Sequence, residues 1–210
     1  MNSFSITNHI DHVYYINLDH RSDRKEQILN EINKLGLLSK TTRIPGVYEK
    51  GRGHLGCSKS HVIAMEHFVN SDYKNCIIFE DDFKFIDNLE IVKKQFYQLF
   101  TSGVDYDVVL LAVGWETSEY KNSFLNKSIC TTTTSGYLVN KKIASRLLQN
   151  FKEGMQLLES AYKRGSKIDS TQDDVYAIDQ YWCKLQSSSN FYIFNPILGK
   201  QSESQSDIMV

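Results

Sequence analysis

The sequence predicts a single α/β domain with a mostly parallel central sheet flanked by helices. Short β-branched and aromatic runs, typical of buried strands, alternate along the chain with segments of helical periodicity. The run at residues 108–112 contains no polar side chain, as is typical of a central strand covered on both faces. No internal repeat or linker divides the 210 residues, so we expect one domain over 1–210, either as the whole protein or as one domain of a longer chain.

Local patterns place the elements in order. Residues 13–18 form the first strand run, and the helix after it carries an apolar stripe with Ile28 and Ile32 that closes at Gly36. A glycine-punctuated loop then leads to a second helix. That helix is expected at about 58–69, with others at 88–100, 141–148, 154–162 and 177–185. Further strands are expected at 76–79, 108–112, 129–134, 137–139 and 191–194.

Composition narrows the classes of partner. The 24 basic and 25 acidic side chains give a net charge of -1, so neither nucleic acid nor an anionic membrane is an expected partner. The first residues lack the pattern of a signal peptide, and no window approaches the ~20 apolar residues of a transmembrane segment. The four cysteines lack zinc-type spacing, so we expect buried free thiols, notably Cys76 and Cys130, and a reducing, cytoplasmic compartment.

Three consecutive carboxylates, Glu80, Asp81 and Asp82, follow the strand at 76–79. Their mutual repulsion raises their pKa values unless a cation or hydrogen-bond donors compensate. Ligands of open α/β sheets bind at the carboxyl ends of strands, and Mg²⁺ or Mn²⁺ bind carboxylate oxygens while leaving positions for substrate phosphates. Alternation along an extended chain puts Glu80 and Asp82 on one side and Asp81 on the other. The alternative is a solvated acidic turn that caps a helix.

The turn after the first strand carries four polar side chains suited to a nucleotide: Asn17, Asp19, Arg21 and Arg24. Amide and carboxylate groups can hydrogen-bond a base and ribose, and arginine can bind a diphosphate with two hydrogen bonds. Taken alone, the segment also fits an ordinary polar turn between a strand and a helix.

Gly56, Ser60 and His61 lie at the start of the second helix. A small-residue turn there brings backbone N–H groups close to a bound anion. A serine-capped helix with a core-facing His61 is the alternative. The hydroxyl-rich segment 131–135, just before Gly136, is a further candidate segment of the site, and the alternative is an ordinary threonine-rich sheet edge.

Together and in this order, these segments resemble glycosyltransferase family 25, which includes bacterial lipooligosaccharide galactosyltransferases and collagen hydroxylysine galactosyltransferases. The resemblance spans roughly residues 13–208. Its matching residues are 15–24 (YINLDHRSDR), 56–61 (GCSKSH), 79–82 (FEDD), 136–137 (GY), 178–179 (ID), Gln201 and 206–208 (SDI). His54 departs from the acidic residue common at this point in relatives, and residues 117–127 show no match.

The resemblance implies a GT-A-type, Rossmann-like fold, a UDP-hexose donor, dependence on Mn²⁺ (or Mg²⁺) and inversion at the anomeric carbon. It also implies a glycan or protein acceptor, including hydroxylysine. On this basis Asp82 ligates the metal, and Glu80 reaches the metal's water shell or the ribose. The residues implied along the nucleotide are Asn17, Asp19, Arg21 and Arg24, together with Gly56, Ser60 and His61.

An inverting transfer needs a base for the acceptor hydroxyl and a cation for the departing diphosphate. Asp179 is the candidate base because it matches a family position, with Asp81, Asp173 and Asp174 as rivals. A helix N-cap is the structural alternative for Asp179.

Two other classes of function stay open at this point. A phosphotransferase of the haloacid-dehalogenase kind also places acidic residues after an apolar strand, although Glu80 stands where its nucleophilic aspartate is needed. A catalytically silent nucleotide-sugar-binding module with the same fold is the other. UDP release, phosphate release from monoesters, or UDP binding without turnover distinguishes the three.

Overall fold

The computed structural model describes residues 4–164 and 174–202. Its strands are β1 (His12–Asn17), β2 (Thr41–Pro45), β3 (Asn75–Glu80), β4 (Phe83–Phe85), β5 (Val108–Leu110), β6 (Glu116–Asn122), β7 (Leu125–Thr131), β8 (Gly136–Asn140), β9 (Phe191–Phe194) and β10 (Gly199–Gln201). Its α-helices are α1 (Ser22–Lys34), α2 (Gly53–Val69), α3 (Leu89–Thr101), α4 (Lys141–Lys163), α5 (Ile178–Tyr181) and α6 (Cys183–Gln186).

Eight strands form one central sheet in the order β2-β1-β3-β8-β5-β9-β7-β6, and β10 pairs separately with β4. The pairs β1–β2, β1–β3 and β5–β9 are parallel, and the other four pairs of this sheet are antiparallel. Following these directions across the sheet, β7 and β8 run opposite to the other six strands. The prediction of an α/β domain with a mostly parallel central sheet is therefore confirmed in strand direction.

Both faces of the sheet are covered, which explains the uninterrupted apolar strands. In β1, Val13 and Tyr15 face a core shared with α1 and α3, whereas Tyr14 and Ile16 face a core shared with α2 and α4. This alternation is the two-residue periodicity of an extended chain. The helices packed on both faces hold β1 and β3 in place, so the polar residues that follow these strands have fixed positions.

Several element bounds differ from those predicted. Helix α2 begins at Gly53, about five residues earlier than expected, and α4 runs unbroken through Gly154 instead of forming two helices. A Cβ on Gly154 would lie 2.9 Å from the Tyr181 ring, so this glycine permits close packing rather than ending the helix. The β6–β7 hairpin covers the region 117–127 that matched no pattern, and its first strand is largely exposed.

The prediction of a free thiol at Cys130 is wrong. Cys130 at the end of β7 and Cys183 at the start of α6 form a disulfide between positions 53 residues apart, which local sequence spacing does not reveal. Cys57 and Cys76 are free, and Cys76 is buried as predicted. Disulfides persist mainly in oxidising compartments, so the cysteines no longer support the predicted reducing, cytoplasmic location. Within the described residues, no helix combines the length and apolar character needed to cross a membrane.

Candidate active site

A cleft lies at the carboxyl ends of β1 and β3, which are parallel neighbours in the sheet. Its walls are formed by residues 16–18, 46–49 and 80–82 and by one face of α2, with Arg24 and Gln201 completing the lining. Parallel strands deliver the residues that follow them to one edge of the sheet, and this edge is where α/β proteins bind ligands.

Most of the predicted site residues meet in this cleft. Those in its lining are Asn17, Arg24, Ser60, His61, Glu80, Asp81 and Asp82. Among the described residues, four predicted positions fall outside the lining: Asp19, Arg21, Gly56 and Asp179. Asp173 and residues 206–208 lie outside the described part of the chain.

Glu80 is held by two neighbouring side chains. Its Oε1 accepts a hydrogen bond of 2.7 Å from the Thr134 hydroxyl and lies 3.2 Å from Nε2 of His61. Nδ1 of His61 lies in turn 2.8 Å from the buried hydroxyl of Tyr137. Burial opposes the charged form of Glu80, but the hydrogen bond and charge of His61, together with Thr134, hold the pKa of Glu80 below its ordinary value. Glu80 is therefore a fixed, ionised carboxylate.

Asp81 points into the polar turn after β1. Its Oδ2 accepts a 2.8 Å hydrogen bond from Asn17 Nδ2, and its Oδ1 lies 3.2 Å from Arg24. Burial raises the pKa of Asp81 despite these donors. Both oxygens of Asp81 are thus engaged by protein groups.

Asp82 differs from its neighbours because one of its oxygens lacks a donor. Oδ2 lies 3.8 Å from Arg24, whereas the buried Oδ1 accepts no hydrogen bond from any described residue. Burial raises the pKa of Asp82 to about 7, and the negative charges of Glu80 and Asp81 contribute in the same direction. A buried carboxylate oxygen without a donor fits a bound cation, which would supply the missing partner and lower this pKa.

Arg43 is a residue of this region that the sequence reasoning missed. Its guanidinium donates to the Asn17 side chain at 3.1 Å, to the Asn17 carbonyl at 2.8 Å and to Asp19 at 2.6 Å. Arg43 lies on β2 opposite Tyr15 of β1, so the contact depends on sheet order and not on sequence spacing. Arg43 orients the start of the turn that carries Asn17.

Arg21 and Asp23 form an ion pair of 2.8 Å on the outer side of this turn. The hydrogen bond from Arg21 holds the pKa of the exposed Asp23 at about 2. Arg21 occupies the N-cap position of α1, where it makes no side-chain capping bond.

Gly56 and Ser60 shape the cleft wall through the loop before α2. The N–H of Gly56 is donated within the first helical turn to the carbonyl of Arg52, so it is already used. A Cβ at Gly56 would lie 2.4 Å from the Val47 carbonyl, a contact that only glycine permits. The Ser60 hydroxyl donates to the Gly56 carbonyl and accepts the N–H of Val47 at 2.8 Å. The two residues fix the loop at 46–49 against α2.

Asp179 lies in α5, and its Oδ2 accepts the N–H of Thr133 at 3.0 Å. The N-cap of α5 is Ala177, so Asp179 supports the loop after β7 and not the end of its own helix. Burial raises the pKa of Asp179, and the charge of Glu80 adds to the effect. Burial raises the pKa of the Cys57 thiol in the cleft wall, and the charges of Glu80 and Asp179 contribute in the same direction.

The segment that carries Asp179 is anchored to β7. Trp182 is fully buried and donates from Nε1 to the Thr131 carbonyl at 2.9 Å, and Gln186 bonds both the N–H and the carbonyl of Thr131. The Cys130–Cys183 disulfide joins the same two elements. Among nearby aromatic residues that could stack on a sugar, Trp115 is exposed, whereas Trp182 and Tyr181 are buried in the core.

The sequence pattern of glycosyltransferase family 25 (LPS biosynthesis protein) matches residues 47–162, more than half of the chain. The chain belongs to glycosyltransferase family 25. The matched region of this glycosyltransferase contains the loop before α2, the acidic triplet and Tyr137, whereas Asn17, Arg24 and Asp179 lie outside it.

Comparison with solved structures gives distant similarities. A mannose-1-phosphate geranyltransferase from Thermus thermophilus is 8% identical with a TM-score of 0.48, over 95% of this chain and 76% of that one. A glycosyltransferase involved in the glycosylation of the major capsid of PBCV-1 is 12% identical with a TM-score of 0.40, over 93% of each chain. At these values neither structure bears on the substrates of this glycosyltransferase. A search of curated proteins found no match.

Proposed function

We propose that this family 25 glycosyltransferase transfers a hexose, galactose or glucose, from a UDP-sugar to a glycan or hydroxylysine-type acceptor, with inversion and with Mn²⁺ or Mg²⁺ as cofactor. The observation that carries the proposal is Oδ1 of Asp82, a buried carboxylate oxygen without a donor among the described residues, in a cleft at the carboxyl ends of two parallel strands.

Asp82 and Glu80 are the residues that would hold the cation. Hard divalent ions favour such carboxylate oxygens and keep coordination positions for substrate phosphates. A cation there would neutralise the negative charge that develops on a departing diphosphate. His61 and Thr134 keep Glu80 ionised and oriented towards the cleft.

The turn after β1 forms the proposed nucleotide side of the cleft. Asn17 donates its amide N–H groups to Asp81 and to the Arg21 carbonyl, so it acts by fixing the shape of the turn. Arg24 lies between Asp81 and Asp82 and brings a positive charge to the place proposed for the diphosphate. Asp19 and Arg21 lie at the outer rim, where we assign them to the nucleoside.

Asp179 is the proposed general base, which takes the proton of the acceptor hydroxyl as that oxygen attacks the anomeric carbon. A raised pKa makes it a stronger base than an ordinary carboxylate, and the backbone hydrogen bond from Thr133 fixes its orientation. Asp81 is the weaker candidate because Asn17 and Arg24 already occupy both of its oxygens.

The test is a screen of UDP-sugars for UDP release, with and without Mn²⁺, in the wild type and in Asp82→Asn. We expect release with one UDP-hexose that requires Mn²⁺ and is lost in Asp82→Asn, since a metal contributes several kcal/mol to such a transfer. Near-normal Mn²⁺-dependent release by Asp82→Asn would place the metal elsewhere. Phosphate release from monoesters, or UDP binding without turnover of any donor, would contradict the proposal in favour of a phosphotransferase or a binding module.

A further inference from the structure

Three side chains of different chemistry converge on the α2 side of the cleft: Cys57, His61 and Glu80. One donor atom from each lies within 4.8 Å of the other two, and all three residues line the cleft. Neither free-thiol chemistry nor a mixed sulfur, nitrogen and oxygen donor set is needed for a sugar transfer that uses carboxylate-bound Mn²⁺. We propose that these residues form a second cation site, which shares Glu80 with the site proposed for the cofactor and binds a softer divalent cation of the Zn²⁺ class, and that its occupation inhibits the enzyme.

The local structure brings the donors together without strain. Cys57 and His61 are four residues apart on α2 and therefore lie on one face of the helix, and Glu80 ends the neighbouring strand β3. Zinc–ligand distances of about 2.0–2.3 Å give tetrahedral donor separations of about 3.3–3.8 Å. His61 Nε2 and Glu80 Oε1 are already 3.2 Å apart. The thiol of Cys57, on a half-buried side chain, must approach by at most about 1 Å.

The surroundings of His61 match those of a metal-binding imidazole. On metal binding, Nε2 of His61 gives up to solvent the proton that it shares with Glu80, and the Nδ1–H is donated to the Tyr137 hydroxyl, which lies 2.8 Å away. Thr134 similarly holds the Glu80 carboxylate by a 2.7 Å hydrogen bond. On binding, the Cys57 thiol releases its proton to solvent and the thiolate joins the metal. The three residues supply three donors, so a water molecule would complete a four-coordinate set.

The donor set selects against the proposed cofactor. Thiolate and imidazole favour Zn²⁺, Co²⁺ and similar ions, whereas Mn²⁺ and Mg²⁺ favour the carboxylates around Asp82. Glu80 belongs to both sites, so a zinc ion on Cys57 and His61 withdraws Glu80 from the cofactor. This inhibition rests on the proposed function, but the binding of the softer cation does not.

The binding test uses Co²⁺ alone as a spectroscopic probe of the full chain. A thiolate ligand gives a sulfur-to-cobalt charge-transfer band in the near ultraviolet, and the two free cysteines are Cys57 and Cys76. We expect the band in the wild type and in Cys76→Ala, and its loss in Cys57→Ala. Reductant is omitted, since it would release two more thiols from the Cys130–Cys183 disulfide. Absence of the band in the wild type, or its persistence in Cys57→Ala, would overturn the site.

Cys57→Ala should remain folded because alanine is the best helix former, and a melting curve close to that of the wild type confirms this. Cys57→Ser, which keeps the size of the side chain, serves as a second variant and should also lack the band.

The inhibition test titrates Zn²⁺ into the Mn²⁺-dependent UDP-release assay, with each variant normalised to its own zinc-free rate. Losing a partner of a metal ligand typically costs about 10–100-fold in affinity, so losing a ligand should raise the zinc concentration for half-inhibition at least tenfold in Cys57→Ala. If zinc inhibits the wild type and Cys57→Ala equally, although the cobalt band depends on Cys57, the inhibitory role is refuted and the binding site stands. If no UDP is released by any variant, the proposed function fails while the cobalt spectrum still decides the site.

Discussion

Replacing Asp82 by asparagine should stabilise the cation-free protein while it abolishes cation-dependent transfer. The wild-type carboxylate is buried beside two other carboxylates, and its Oδ1 has no donor among the described residues. An amide of the same shape removes the charge, and its N–H can be turned away from Arg24. Asp82, which the proposed cofactor requires, therefore lowers the free energy of unfolding of the cation-free protein.

The magnitude follows from the pKa of Asp82, which is raised from 3.8 to about 7. Each unit corresponds to about 1.4 kcal/mol, so the folded state loses on the order of 4 kcal/mol when this carboxyl is ionised. The folded protein binds more protons than the unfolded chain between these pKa values, so wild-type stability falls as pH rises from about 4 to 7. Asp82→Asn lacks this loss. Its advantage is complete above about pH 7, and roughly a third of it remains at pH 5.

Urea denaturation in EDTA at pH 5 and pH 8 measures the effect. The gain in the free energy of unfolding at pH 8, on the order of 4 kcal/mol, would appear in a thermal melt as roughly 10 °C in melting temperature for a chain of this size. Asp87→Asn is the matched control, because Asp87 is an exposed carboxylate just before α3 and its exchange should change stability little at either pH. A gain for Asp82→Asn that is absent at pH 8, or equal at pH 5 and pH 8, would refute the reasoning.

Three further predictions test the site. UDP and Mn²⁺ together should raise the melting temperature more than either alone, with about 2.7 kcal/mol at a hundredfold excess over Kd; no joint shift at millimolar concentration would contradict a nucleotide-sugar site. Asp179→Asn should lower kcat by about 10²–10⁴-fold with Kd for UDP within about twofold, and an unchanged kcat would turn attention to Asp81, Asp173 and Asp174. Gly56→Ala should cost about 1–3 kcal/mol in urea denaturation because its Cβ meets the Val47 carbonyl, and a neutral result would show that the loop at 46–49 yields freely.

Local sequence patterns predicted the parts of the fold that depend on local physics. The apolar runs that became β1, β3, β5 and β9 are buried on both faces, so their composition alone distinguishes them. The triplet at the end of β3 was predictable because three consecutive carboxylates directly follow an apolar run, and ligands of α/β sheets bind at the carboxyl ends of strands. Strand β6 was missed because it is mostly exposed and lacks an apolar face.

Two of the missed contacts that shape the site join residues that are distant in the sequence. Arg43 reaches Asn17 across 26 positions because β2 and β1 pair, and His61 reaches the Tyr137 hydroxyl across 76 positions. Periodicity reports which face of an element is apolar, but it carries no information about which element lies opposite. The candidate site could be predicted as a set of residue types, whereas its hydrogen-bond partners required the sheet order.

The anchoring of α5 and α6 to β7 has an evolutionary consequence. Trp182, Gln186 and the Cys130–Cys183 disulfide all fix the Asp179 segment from its C-terminal side, so its position does not depend on the chain that leads into it from α4. Insertions or deletions between residues 164 and 174 can therefore accumulate in a lineage without displacing the candidate base.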